Sequence, residues 1–144
     1  MSKEKLSKTQ REFEEDLRKE IVSTLSIFCF DIKISKTVEG RSGIKHEIDV
    51  VAEKRDTSPT RLFIKCKSFT EETFLRLDEV LCFWAQIIDA AADRGVIVTT
   101  CKVSESAAKF AEHHQILIIT GRGPNDLRYK LLEPEILGLN RPLK

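Results

Sequence analysis

The sequence predicts an α/β fold, one mixed β-sheet with helices on both faces. Three observations carry this. Residues 8–25 show helical periodicity, and residues 27–67 hold three strand-like segments separated by turn residues. Gly95–Thr120 then reads strand–helix–strand, with strands apolar throughout. The distal unit is a parallel crossover and the earlier strands form an antiparallel meander, so the sheet is mixed. A chain of 144 residues suits one domain. Its expected core spans about 8–121, with a loosely packed tail over about 125–144.

Ser7 and Gln10 have capping-box spacing, and Phe13, Leu17, Ile21 and Leu25 follow at helical spacing. This predicts a first helix over Lys8–Leu25. Ile27–Val38 is rich in Phe, Ile and Val and predicts a strand, with Ile32, Ile34 and Val38 on one face. Glu39–Gly43 supplies a turn. Ile44–Glu53 predicts a second strand, with Ile44, His46, Ile48 and Val50 on one face and Lys45, Glu47, Asp49 and Val51 on the other. Asp56–Pro59 is the next turn. Arg61–Lys67 predicts a third strand, with Leu62, Ile64 and Cys66 opposite Phe63, Lys65 and Lys67.

Glu71–Asp93 carries a broad apolar stripe of Leu75, Val80, Leu81, Trp84, Ile87, Ile88 and Ala91, the mark of a buried helix. Gly95–Thr100 predicts a central parallel strand, and Ser104 N-caps a helix over Glu105–His113. Ile116–Ile119 predicts a second buried strand, and a short helix is expected near Asp126–Leu132.

The composition is 41% apolar and 33% charged, that of a globular domain with enough apolar residues for a core. Lys and Arg number 24 against 23 acids, so any affinity for nucleic acid needs a local basic face. Cys29, Cys66, Cys82 and Cys101 include no CxxC pair. Cys29 and Cys82 sit in apolar runs and are expected to be buried thiols, which suits a reducing cytoplasm and not a zinc site. The charged start of the chain does not resemble a signal peptide, and no apolar run reaches membrane-spanning length.

On an extended strand, residues two apart share a face, so Glu47 with Asp49 and Lys65 with Lys67 can form one cluster if the strands pair antiparallel. In such a cluster Asp49 can bind a divalent cation, because Mg²⁺ prefers carboxylate oxygens and keeps several waters. Lys67 can orient or deprotonate a water, or hold a phosphate oxygen.

The chain resembles the PD-(D/E)xK, or restriction-endonuclease-like, superfamily and within it the Mrr-type restriction endonuclease domains. Phe13-Glu14 is similar to that family's FE signature in the first helix. Ser42–Val50 resembles its SG…HEIDV strand, and Ile64-Lys65-Cys66-Lys67 its (V/I)ECK strand. Gly95–Thr100, Ser104–Ala107 with Ala111, and Ile116–Gly121 resemble its distal segments. The resemblance implies a restriction-endonuclease-like fold and Mg²⁺-dependent cleavage of DNA phosphodiesters. It implies Asp49 as metal ligand, Lys67 as catalytic lysine and Glu14 as an acid near the metal, with Gln86 a weaker candidate for lining the site.

Lys65 departs from the family, which has an acid there. An ammonium gives no ligand and repels a cation, since unit charges about 4 Å apart interact by about 4 kcal/mol at an effective dielectric near 20. Lys65 is therefore expected to pair with Glu47 or Asp49 in a degraded site. The alternative is an active endonuclease in which Glu47 or Glu14 supplies the missing ligand.

Arg41, Lys45, Lys65 and Lys67 are candidates for DNA phosphate contacts of low sequence specificity. A protein-interaction role and a homodimer built on Phe74–Trp84 are further expectations. His46 is expected to be packed or hydrogen-bonded, Trp84 to lie in the core or a dimer contact, and His113-His114 to close a helix.

Overall fold

The computed structural model describes residues 3–26, 31–54, 60–67 and 74–122, with some side chains of the first helix, including those of Phe13, Glu14 and Leu25, left out. The expected helix near Asp126–Leu132 and the Asp56–Pro59 turn lie outside the described residues, as does Cys29. Lys, Glu and Leu are strong helix formers, and they carry the first helix, α1 (Lys3–Ser26), past the Ser7 capping box toward the N-terminus. Propensity here overrides the local cap, so Ser7 lies inside the helix. Leu17, Ile21 and Thr24 face inward and are buried.

The strands are β1 (Asp31–Glu39), β2 (Lys45–Lys54) and β3 (Thr60–Lys67), followed by the two-residue β4 (Phe74–Leu75). Helix α2 (Leu77–Asp89), β5 (Arg94–Thr99), the two-residue β6 (Lys102–Val103), α3 (Glu105–His113) and β7 (Leu117–Thr120) complete the described order. The main sheet runs β1-β2-β3-β5-β7, antiparallel across β1-β2-β3 and parallel across β3-β5-β7. The mixed sheet is thus as the sequence predicts. Ser104 caps α3 by accepting the Ala107 N–H on its hydroxyl at 3.2 Å.

The sheet separates two apolar layers. On one side α1 sets Leu17 and Ile21 against Val50, Ala52, Leu62, Ile64, Val96 and Val98. On the other, α2 and α3 set Val80, Phe83, Ile87, Ala107 and Ala111 against Val51, Phe63 and Ile97. Helix α2 is shorter than Glu71–Asp93: Leu75 belongs to β4, and Ala91 turns left-handed at φ +54° just past the helix. Its buried stripe is Val80, Phe83 and Ile87, while Leu81 and Ile88 are exposed. Cys82 is exposed too, which corrects the expected buried thiol, because it points away from that stripe.

Strict alternation fails in β1 and β2. Val50 and Ala52 pack on the α1 side, yet Ile48 shares the α2 side with Val51. In β1, Ile32 packs on the α1 side and Val38 on the other. Both strands turn over at one level, where Ser35 takes φ +53° and the register would otherwise set it opposite Asp49. The expected shared faces, Ile32 with Val38 and Ile48 with Val50, are corrected by this turnover.

Candidate functional site

The turnover places Asp49 where the sheet opens. The β2–β3 ladder runs from Lys54↔Thr60 to Val50↔Ile64 and stops there. Continued register would have paired Asp49 with Lys65. Instead the Asp49 carboxylate replaces a ladder acceptor, taking the Cys66 N–H on Oδ2 at 2.8 Å. Its other oxygen, Oδ1, lies 4.0 Å from Nη2 of Arg18 on α1.

A cleft of about 460 Å³ opens beside Asp49, lined also by Arg18, Lys65, Cys66, Lys67, Asp78, Glu79 and Cys82. That volume lies within the ~300–1,000 Å³ range of small-ligand sites. Lys67, 7% exposed in its side chain, is ion-paired with Glu79 on the first turn of α2. Arg76 flanks the rim, holding Asp78 at 2.8 Å. A smaller notch next to the cleft is lined by Glu47, Ile48, Asp49, Ile64, Lys65, Phe83 and Gln86. Asp49 and Lys65 thus border both spaces.

The structure therefore brings Asp49, Lys65 and Lys67 together and leaves Glu47 in the notch, on an exposed stretch of β2. The expected ion pair of Lys65 with Glu47 or Asp49 does not form; among the described residues Lys65 has no ion pair. Asp49 is turned instead toward Arg18 and the Cys66 amide. Glu14 lies on α1 with its side chain outside the described residues. Arg41 and Lys45 are exposed at the β1–β2 turn and do not line the cleft. Gln86 lines the notch. Sequence reasoning missed Arg18 and Glu79. Arg18 lies one residue from the buried Leu17, and Glu79 sits in the acidic first turn of α2, but neither position has a strand-motif spacing to mark it.

The donor set does not suit Mg²⁺, which needs several oxygen ligands in octahedral geometry. Of the two carboxylates nearest the cleft floor, Asp49 is engaged by Arg18 and the Cys66 amide, and Glu79 by Lys67. Lys65, which lines the same cleft, carries an ammonium and offers no oxygen ligand. Among the described residues, no three His, Cys, Asp or Glu side chains converge as a metal-holding group.

A second acid-centred network lies at the other end of α2. Asp89 accepts the Ser42 hydroxyl at 2.7 Å, the His46 Nε2–H at 2.7 Å and the Ser42 amide at 3.0 Å. The Ser42 hydroxyl, then His46 and the Ser42 amide, hold the Asp89 carboxyl down to about 2. His46 is thus a hydrogen-bonded histidine of the fold. Trp84 packs edge-on against Phe110 with centroids 5.7 Å apart, and His114, the C-cap of α3, completes that α2–α3 joint.

Comparison with known proteins agrees with this architecture. The restriction endonuclease family profile Mrr_cat matches residues 13–123, and the chain belongs to that family. A solved protein of unknown function, AF1548, is 25% identical, with a TM-score of 0.63 over 80% of this chain and 65% of its own. The MspJI restriction endonuclease, solved in complex with a 27-mer oligonucleotide, shares the fold at 14% identity and a TM-score of 0.51, over 90% of this chain and 29% of MspJI. The chain thus spans less than two thirds of either relative's length. No curated protein matches it. No described helix is long and apolar enough to cross a membrane.

Proposed function

We propose that this member of the restriction endonuclease family binds DNA through the nuclease cleft and does not cut it. The observation that carries this is Lys65 in the cleft beside an Asp49 already engaged by Arg18 and the Cys66 amide. Such a floor attracts a phosphate and repels a divalent cation. Backbone contacts by Lys65, with Arg41 and Lys45 farther along the sheet, make the binding salt-dependent and low in sequence specificity. Cys82 and Cys101, which form no disulfide among the described residues, fit a reducing compartment, the cytoplasm.

The test is an incubation of the purified protein with supercoiled plasmid and Mg²⁺ or Mn²⁺, alongside a mobility-shift titration of duplex DNA at several salt concentrations. Intact plasmid with a salt-sensitive shift is the expected result. Robust nicking that Asp49→Ala abolishes would overturn the reading. Absence of a shift at low salt would leave a protein-interaction module.

One observation favours a second reading, that of a Mg²⁺-dependent endonuclease. Glu79 lines the same cleft as Asp49 and offers the acid that position 65 lacks. On that reading both Asp49→Ala and Glu79→Ala abolish nicking, and Glu47→Ala and Glu14→Ala read whether either of those acids supplies a ligand instead. Cleavage of two strands would call for two copies, and the exposed Phe74, Leu81 and Ile88 offer apolar surface for pairing. Light scattering in solution decides whether the chain pairs.

A further inference from the structure

Among the described residues three carboxylates line the cleft beside Asp49's strand, and each has a cation beside it: Arg18 for Asp49, Lys67 for Glu79 and Arg76 for Asp78. Lys65 has no such partner among the described residues, although it borders both the cleft and the notch. Arg18 is under-satisfied as well. Its Nη2 stands 4.0 Å from Asp49, within ion-pair range but beyond a hydrogen bond, and its buried Nε has no acceptor among the described residues. Two cations on different elements, one on α1 and one on β3, thus converge on one space with donors to spare. Lys65 and Arg18 line this space from two elements, and neither makes a side-chain hydrogen bond to a protein acceptor among the described residues, so together they offer charged donors to an acceptor-rich anion.

We infer that the cleft is a metal-independent oxyanion site, in which the Lys65 ammonium takes the place of the divalent cation and, with Arg18, holds a phosphodiester group. A phosphodiester suits this pair because its two non-bridging oxygens accept from a guanidinium fork and a point-charge ammonium together. Asp49 stands beside Arg18 without a hydrogen bond to it, and Glu79 holds Lys67 against the wall. No bond is made or broken; the site retains the phosphate-holding part of a nuclease and omits the activation of water. The inference rests on the DNA-binding reading for its ligand, while the anion site itself can be tested separately.

The experiment has two arms. In the first, labelled duplex DNA is titrated with the protein in chelator and in Mg²⁺, using the native chain, Lys65→Gln and Lys65→Glu. The native chain binds equally well in both conditions. Lys65→Gln weakens binding by on the order of tenfold, as loss of one charge-assisted contact implies, and the salt slope becomes shallower by about 0.9. Lys65→Glu binds poorly in chelator and recovers with Mg²⁺. Native binding that needs Mg²⁺, or Lys65→Gln binding with unchanged affinity and slope, overturns the inference.

In the second arm inorganic phosphate is titrated into the native protein while the Lys65 side-chain resonance is followed by NMR. A saturable shift supports the anion site. DNA binding with an unmoved Lys65 resonance overturns the anion site and leaves the DNA-binding reading standing. A phosphate-dependent Lys65 shift without DNA binding keeps the anion site and removes the nucleic-acid reading.

Discussion

Asp89, at the end of α2 against His46 of β2, and Asp49, on β2 itself, stand in opposite states of satisfaction. Asp89 takes three short hydrogen bonds, from the Ser42 hydroxyl, the Ser42 amide and His46, and ties the β1–β2 turn to the end of α2. It does so although a carboxylate at a helix C-terminus faces the unfavourable end of the dipole, so its local hydrogen bonds outweigh that field. Asp49 takes one hydrogen bond and one long ion pair, and the Arg18 Nε beside it has no acceptor among the described residues. A saturated network holds a fold together and has nothing left for a ligand. An unsaturated one on a cleft has both the room and the donors to take one.

The largest effect that separates the two is expected from Gly40→Ala. A methyl group there would collide with the Asp89 carboxylate, which its three hydrogen bonds hold in place. Overpacking of this kind costs ~1–3 kcal/mol, and the Ser42 and His46 bonds are strained with it. Denaturant unfolding measures the loss, while the DNA affinity of the folded fraction stays that of the native chain. A Gly40→Ala protein as stable as the native one would show that the Asp89 network is dispensable.

Next in size is the acid response. Asp89 has an ordinary value of 3.8 and is held to about 2 in the folded state. A depressed folded value means the contribution is complete above 3.8 and is lost as pH falls through about 2. Asp89→Asn removes the carboxylate and so flattens this part of the profile of thermal midpoint against pH. An unchanged acid limb in Asp89→Asn would break the assignment.

The smallest effect on stability is expected at Asp49. Asp49→Asn keeps an acceptor for the Cys66 amide and loses only a half-exposed ion pair, so unfolding shifts by under about 1 kcal/mol. Its effect on binding has the opposite sign from that of a metal ligand. Removing a negative charge beside the proposed phosphate site leaves DNA affinity in chelator equal or tighter, as a filter-binding titration reads. Weaker binding in chelator would make Asp49 a contact residue and remove the contrast with Asp89.

Much of the fold was legible because its cues are local. Ser104 and the apolar spacing of α3 mark a helix whose bounds the structure reproduces, and the continuous apolar runs at Val96–Val98 and Leu117–Ile119 mark parallel strands. Of the candidate site, the strand spacing singled out Asp49, Lys65 and Lys67, which the structure gathers at one cleft. Glu47 borders the adjoining notch together with Asp49 and Lys65, beyond the turnover at Ser35 and Asp49. The same turnover explains why Lys65 lacks the acidic partner its register suggested.

The element types, the mixed sheet, the family resemblance and the lysine at position 65 can be read from the residues alone, because periodicity and motif spacing act over a few neighbouring residues. The ion-pair partners emerge in three dimensions: Arg18 for Asp49, Glu79 for Lys67, and none among the described residues for Lys65. Those pairings depend on where two helices cross the open edge between β2 and β3. That position is set by packing on both faces of the sheet, and no local run of residues encodes it.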